Sequence, residues 1–491
     1  IIITSMEIPK AYTFDDVLLI PQKSSVQPSG CSTTTSLSNN IKLEVPILSA
    51  AMDTVSESNL AIAMAQLGGA SCLHKNMTID QQVEEVLKVK KYESGMVVNP
   101  ITIGPDNSIS DVRLIIKEKH ISGIPVVNNQ NKILGIITNR DLRFSRNDKA
   151  KVKDLMTKNV ITIKQGYSSN EAKKLLHKHR IEKLIVTNNQ NQCLGLITVK
   201  DIEKSEKFPL ASKDRKKSLI VGAAVGVGED GLKRAKSLIS ANCDFLVVDT
   251  AHGHSKAVLD IVKKIRNLSK KITLIAGNIA TEEAAIDLAK LKVDAVKVGI
   301  GPGSICTTRV VAGIGFPQFS AILNVKKALK KFKDVKVIAD GGIRYSGDIA
   351  KAIGAGADAV MIGSLLAGTD ETPGEIFFYQ GRSYKSYRGM GSIAAMSRGS
   401  ADRYFQQDVK DQLKLVPEGI EGRVPYRGPV KNIIDQLLGG LKSSMGYLGA
   451  KNISEFKKNA KFVEISNSGI KEGHVHDVQI TKQSPNYPAN E

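Results

Sequence analysis

Residues 299–308 read Gly-Ile-Gly-Pro-Gly-Ser-Ile-Cys-Thr-Thr. One thiol, Cys306, sits among three hydroxyls, Ser304, Thr307 and Thr308, in a segment opened by Gly299, Gly301, Pro302 and Gly303. Glycines let backbone N–H groups approach a ligand, and such donors favour the thiolate, the nucleophilic form of cysteine. Cys306 is therefore expected to be a nucleophile, whereas Cys72 and Cys243 read as inert core cysteines. Two more glycine loops lie downstream, Ala339-Asp340-Gly341-Gly342-Ile343 and Ile362-Gly363-Ser364-Leu365. They suit a phosphate held by backbone N–H groups at a helix start, with Ser304 as a third side. The Asp340 carboxylate can accept from both hydroxyls of a ribose. These features together point to a nucleoside monophosphate with its base over Cys306.

Each of these loops ends a short apolar run, and such runs recur. Residues 47–50, 70–73, 219–222, 245–248, 272–275, 293–298, 335–339 and 359–362 read as strands. Helical patterns come after them, among them 58–67, 79–92, 281–290, 318–331 and 346–353. Eight strand–helix units predict an α/β fold, a (β/α)8 or TIM barrel. Its active site lies at the C-terminal strand ends, where this chain carries Asp53, His74, Asp249, Asn278, Cys306, Asp340 and Gly363-Ser364.

A second glycine pattern competes with that reading. Gly226-Val227-Gly228-Glu229-Asp230-Gly231 follows an apolar run, opens a helix and has the acidic Asp249 about 20 residues on, as in a dinucleotide-binding Rossmann fold. A doubly wound sheet leaves the later strand–helix units unexplained. These glycines are expected to form a barrel loop and a helix start. A Rossmann domain would show an open sheet around them.

At 491 residues the chain exceeds one ordinary core. Residues 101–104, 121–131 and 134–141 recur as 161–164, 181–191 and 194–201, each 60 positions later. Each copy has β-rich runs, an amphipathic helix (109–119, 169–179) and a Thr-x-x-Asp before a second helix: Thr138 with Asp141, Thr198 with Asp201. The pair resembles a tandem of CBS modules, a Bateman domain of α+β class. That resemblance implies purine nucleotides bound through those Thr and Asp side chains; the alternative is that they cap the helices. The expected domains are 1–95 and 207–491 for the barrel and 96–206 for the insertion.

Net charge is +20. The lysines are dispersed, which reads as solvated faces. No basic–aromatic block points to specific nucleic-acid binding. Five scattered cysteines without metal-ligand spacing suit a reducing cytoplasm rather than a disulfide framework. No apolar run reaches the length of a membrane span and no signal sequence opens the chain. Met6 is the expected native start, after five foreign residues.

The block 297–309, with 12–21, 52–55, 249–254, 277–278, 339–346, 361–375, 387–391 and the C-terminal tail, resembles the inosine 5′-monophosphate (IMP) dehydrogenase family over nearly the whole chain. The resemblance implies a reaction in which Cys306 attacks carbon 2 of the hypoxanthine, hydride passes to NAD, and a covalent thioimidate is hydrolysed to xanthosine monophosphate (XMP). It also implies the residue roles. Asp249 and Asn278 would hold the nicotinamide riboside. Thr250, His252, Gly299 and Gly301 would lie on the NAD side. Ser304, Asp340, Gly341, Gly342, Gly363, Ser364 and Tyr387 would bind ribose phosphate, and Gly389, Met390, Gly391 and Glu418 would meet the base. Backbone carbonyls of Gly301, Gly303 and Cys306 would hold potassium, completed by Glu472, Gly473 and His474 of a neighbouring copy. A homotetramer, with an octamer through the CBS pair, is the implied assembly. Residues 388–429, rich in Gly, Arg and Pro, suit a mobile flap. By the same resemblance the flap carries the hydrolytic pair Arg403-Tyr404, with Thr308 completing the water site. Arginine is an unusual base because its pKa is very high. Two alternatives stand beside the dehydrogenase: the related GMP reductase, against which the CBS insertion and the Arg-Tyr flap speak, and a nucleotide-sensing protein with a degenerate barrel.

Overall fold

The computed structural model describes residues 8–92, 97–98, 100–119, 121–143, 145, 147–409, 411–482 and 484–487. The expected start at Met6 and the expected boundary at Met96 lie outside these residues. The chain separates into two compact units, one of Ile1–Lys91, Leu210–Asp214 and Leu219–Glu491, the other of Tyr92–Pro209 and Arg215–Ser218.

The first unit is built on eight parallel strands: β1 Ile47–Ser49, β2 Ala70–Leu73, β3 Gly222–Val225, β4 Phe245–Asp249, β5 Thr273–Ile279, β6 Ala295–Val298, β7 Lys336–Asp340 and β8 Ala359–Ile362. They close into a barrel, with β8 on β1 (Val360 opposite Ile47) and β2 on β3 across the insertion (Cys72 opposite Gly222). The expected fold is therefore present. So the Gly226–Gly231 pattern follows a strand of a closed barrel, not of an open sheet. Its glycines have local reasons: Gly228 has φ +72°, and a Cβ on Gly231 would stand 2.3 Å from the Gly226 carbonyl oxygen.

Strand alternation sends one residue in two into the barrel. Leu48, Ala70, Cys72, Ala224, Phe245, Val247, Ile275, Ala295, Ile338, Ala359 and Met361 share its interior core. By the same parity Asp249, Gly277, Lys297 and Asp340 point inward at the C-terminal rim. The third strand lies three positions beyond the expected 219–222. Leu219, Ile220 and Val221 are buried but precede it. The large Phe245 ring fills the interior, and only small residues fit beside it: a Cβ on Gly222 would lie 2.0 Å from that ring. Reading for bulky apolar residues misses a strand made of Gly222, Ala223 and Ala224.

The segment 388–429 carries short regular elements. It starts at the end of strand Arg382–Arg388, which lies between Phe377–Tyr379 and Glu421–Pro425 in an antiparallel sheet. Short helical turns at Ile393–Ala395, Met396–Ser400 and Ala401–Tyr404 lie between.

The second unit carries the 60-residue repeat into three dimensions. Gly123–Val127 pairs with Ile133–Thr138, and Lys183–Thr187 with Cys193–Thr198, each pair bulged at the equivalent position. Ile103, Ile124, Val126, Ile137 and Leu142 make one core; Ile163, Leu184, Val186, Ile197 and Ile202, all 60 positions later, make the other. Reciprocal bonds join the copies: Cys193 N–H donates to Asn131 O (2.9 Å) and Ile133 N–H to Asn191 O (3.1 Å). Asp141 accepts from the Thr138 backbone and hydroxyl, both at 2.7 Å, and Asp201 does the same for Thr198 at 2.8 Å. In this state the four residues act as helix-start caps.

Candidate active site

Four side chains from the C-terminal ends of neighbouring strands form a polar cluster in which Asp249, Asn278 and Lys297 are buried, Asn278 turning into it where the register of β5 shifts after Gly277. The Lys297 ammonium on β6 lies 2.8 Å from Asp249 Oδ1 and 2.6 Å from Asp340 Oδ2, and also donates to Asn278 Oδ1. The Asn278 amide donates to Gly299 O (2.7 Å) and Asp340 Oδ2 (2.9 Å). Burial alone would discharge such groups, but paired opposite charges resist it. Burial works to lower the Lys297 pKa, yet Asp249 and Asp340 carry it above the usual lysine value. Burial works to raise Asp249, yet Arg403 and Lys297 hold it well below the usual carboxylate range. Reading 294–298 as a plain apolar run overlooked Lys297; the signal was a lysine at an inward position of a strand.

The Cys306 loop is stitched to this rim. Gly299 has φ +148° and its Cα lies against the Asp340 carbonyl, where a Cβ would come within 2.1 Å. Buried Gln318 donates to Val298 O (2.9 Å) and Asp340 O (3.1 Å), tying the ends of β6 and β7. Arg309 donates to Ile300 O (3.1 Å) and Phe316 O (2.6 Å). Cys306 itself is half-buried and lines the central cavity with Asp249, Asn278, Gly299, Gly301, Gly303, Thr308, Asp340, Gly341, Tyr387, Gly389, Met390, Arg403, Tyr404 and Glu418.

The residues expected to hold a phosphate line an adjoining cavity. Gly341 (φ +87°), Gly342 (φ +79°), Gly363, Ser364, Ser304 and Tyr387 line it, and Asp340 borders both cavities. A Cβ on Gly363 would meet the Tyr387 hydroxyl at 2.9 Å, so glycine there leaves the rim open. A third, mostly apolar cavity runs from Thr308 and Tyr404 past Ala251 and His252 to Ala280 and Phe316.

The flap covers the thiol. Cys306 Sγ lies 3.2 Å from Thr308 Oγ1, which donates to Glu418 Oε2 at 2.7 Å. Thr307 N–H donates to Glu418 O (2.9 Å) and Ile420 N–H to Ile305 O (3.1 Å). The Arg403 guanidinium meets Asp249 Oδ2, and Arg403 O accepts from Ala251 N–H at 3.0 Å. Gly391 packs under Tyr404, where a Cβ would come within 2.8 Å of its ring. Burial pushes the Tyr404 hydroxyl up to about 12 against the pull of Arg403. Burial would lower Arg403, but Asp249 outweighs it and the guanidinium is held above its usual value.

Other expected residues lie apart from this centre. Thr250 is buried, with its hydroxyl donating to Gly277 O at 3.0 Å. His74 is buried against Glu57 (3.2 Å). Asp53 forms a two-point pair with Arg388, at 3.0 and 2.6 Å. Glu472 and Gly473 end the helix Asn467–Glu472, and His474 Nδ1 lies 2.9 Å from the Tyr487 hydroxyl of the same chain. Among the described residues no group of three or more His, Cys, Asp and Glu side chains could hold a metal ion.

Residues 11–476 match the family described as IMP dehydrogenase / GMP reductase domain. Inosine-5′-monophosphate dehydrogenases from Rhizobium tropici (56% identical, 96% of this chain and 95% of that one) and Bacillus subtilis strain 168 (54% identical, 97% of each) are similar over almost their whole length. Among solved structures, a cysteine-to-alanine variant of GMP reductase from Trypanosoma brucei in complex with guanosine 5′-monophosphate is similar at a TM-score of 0.81 and 41% identity, over 97% of this chain and 99% of that one.

Proposed function

The chain belongs to the IMP dehydrogenase / GMP reductase family, and on that premise we infer that it is an NAD-dependent oxidoreductase that oxidises IMP to XMP by way of a Cys306 adduct. The observation that carries the mechanism is Cys306 in the central cavity with Arg403 and Tyr404, a cavity that shares Asp340, Gly341 and Tyr387 with the adjoining glycine-lined one. Phosphate bound by Ser304, Gly341, Gly342, Gly363, Ser364 and Tyr387 sets the base over Sγ, with Gly389, Met390, Gly391 and Glu418 along its edge. Asp340 Oδ2 is taken by Lys297 and Asn278, which leaves Oδ1 for the ribose. Sγ bonds to carbon 2, the hydrogen there leaves as hydride, and XMP remains joined to sulfur as a thioimidate. NAD, when bound, supplies the hydride acceptor. Water then adds at the same carbon and the C–S bond breaks, returning the thiol.

Asp249, Asn278 and His252 suit the nicotinamide end and the apolar cavity beyond it. Gly299 and Gly301 give close backbone approach on the same side. Thr250 contributes through its backbone, because its hydroxyl is committed to Gly277. Asp249 cannot serve a cofactor ribose and Arg403 at once, so the flap and the nicotinamide take turns. That exclusion supports two half-reactions on one thiol, with Thr308, Arg403 and Tyr404 serving the water. The Arg403–Asp249 pair opposes loss of the arginine proton. A base role therefore belongs to a geometry in which the two have parted and Tyr404 remains beside Arg403.

Carbonyls of Gly301, Gly303 and Cys306 suit potassium, a hard cation that takes oxygen donors. It would brace the loop carrying the nucleophile. Glu472, Gly473 and His474 of a second copy would complete its shell, which calls for a homotetramer; octamers through the CBS pair follow the same logic. Purine nucleotides at the CBS pair would have to displace the Thr138–Asp141 and Thr198–Asp201 caps. Five unpaired cysteines suit a cytoplasmic setting, and no helix among the described residues is long and apolar enough to cross a membrane.

The GMP reductase neighbour aligns over nearly all of both chains, so the insertion does not separate the two activities. The Arg-Tyr flap and the more similar dehydrogenase relatives carry the choice. Purified protein with IMP, NAD and potassium is expected to produce NADH absorbance, abolished by Cys306→Ala. Turnover of GMP with NADPH, and none of IMP with NAD, would overturn it.

A further inference from the structure

The flap tip is held by a contact that touches none of the reacting groups. Lys75, just past the end of β2, is 8% exposed and its ammonium meets Asp402 Oδ1. Asp402 precedes Arg403 in the chain, so whatever fixes one carboxylate fixes the start of the Arg-Tyr segment. The second oxygen, Asp402 Oδ2, lies over Gly226, where a Cβ would stand 2.3 Å away. Gly226, the first glycine of the Gly226–Gly231 pattern, is thus the floor of a slot that receives a flap carboxylate. None of Lys75, Gly226 and Asp402 lines the central, phosphate or apolar cavity. The other flap ties differ. Asp53–Arg388 holds the flap root, and Arg403–Asp249 sits where the nicotinamide end is read to bind.

We propose that Lys75 and Asp402, seated over Gly226, form the latch that closes the flap and sets Arg403-Tyr404 for hydrolysis. Lys75 is a positioning residue. With Asp402 docked the ammonium is both buried and paired, and a buried ammonium is strongly disfavoured without a counter-charge, so the closed arrangement needs both partners. The pair remains available when a cofactor competes for Asp249, so it biases the flap without contacting the substrate. This inference rests on the dehydrogenase reading.

The test compares wild type with Lys75→Met, Asp402→Asn and Gly226→Ala. The readouts are the first-turnover NADH burst, the steady-state rate, inhibition by excess NAD, and hydrogen exchange across 388–409 of the XMP-loaded protein. The latch predicts a burst rate within about twofold of wild type, a steady-state rate lower by about tenfold or more, and stronger NAD inhibition as the open state gains population. Exchange across the flap tip should quicken, and Lys75→Arg should restore most of the rate. Asp402→Asn, with a partly exposed side chain on the flap itself, keeps the test open if Lys75→Met misfolds. Burst and steady state falling together would make these residues part of the chemistry or the scaffold. Unchanged kinetics and exchange would remove the latch. A wild type that makes no NADH from IMP would sink the dehydrogenase reading instead, and flap exchange would still decide the latch.

Discussion

Lys297 shows how one charge organises the rim. It is 2% exposed and sits between two carboxylates. Removing one member of a buried charge cluster leaves the others uncompensated, at a cost of about 3–5 kcal/mol. Lys297→Met is expected to lower stability by that order in urea titration, and to abolish NADH formation even where the protein still folds. Retained activity in a folded Lys297→Met protein would refute its placement. Arg403 makes a different case, because it lies on the flap. Arg403→Ala is expected to spare the NADH burst and slow XMP release from Cys306 by about 100-fold or more, the scale of losing a positioned proton acceptor. Loss of the burst itself would take Arg403 out of that role. The thiol, glycines and Asp340 were readable because their types are rare and clustered. Lys297 was hidden because strand propensity says nothing about which face a side chain takes.

At the scale of elements, β3 and β4 are linked by the Gly222–Phe245 contact. Gly222→Ala forces a methyl into the Phe245 ring, and overpacking of this kind costs about 1–3 kcal/mol. Its melting temperature should fall, and Gly222→Ala with Phe245→Leu should recover part of the loss; no recovery would mean the strain lies elsewhere. The flap root responds to pH through Asp53. Burial works to raise its pKa, but Arg388 and Asn76 bring it below the usual value. A carboxylate lowered in the folded state adds stability above its unfolded pKa of about 3.9. That stability is lost as pH falls through the lower folded value. Asp53→Asn should therefore flatten the acid limb of the stability curve, measured by denaturation from neutral pH downward; an unchanged limb would count against the pair. The apolar runs placed the starts of seven of the eight barrel strands within two residues, though β5 runs four residues past its expected end. The exception, β3, failed because tertiary packing selected small residues where the pattern favoured large ones.

For the whole molecule, the insertion leaves and rejoins the barrel at neighbouring points. Lys90 at its upstream edge donates to Asp214 downstream at 2.9 Å, and the barrel and the insertion have separate cores. Replacing residues 92–209 by a short Gly-Ser linker should leave a folded barrel with IMP oxidation within about fivefold of wild type, since short flexible linkers span nearby ends at small entropic cost. Loss of the barrel fold on deletion would show that the two units depend on each other.

The eightfold strand–helix rhythm, the 60-residue duplication and the glycine loop around Cys306 are legible in the chain alone. These are local properties: periodicity, glycine spacing and residue type survive without a partner. Which polar residues meet depends on how the strands close. Asp249, Lys297 and Asp340 lie on three different strands, and barrel closure aims them at one point. Arg403 reaches Asp249 across 154 positions of chain. The same closure turned the Gly226–Gly231 pattern from a dinucleotide signature into a loop with room for Asp402, because a motif's meaning depends on what packs against its backbone.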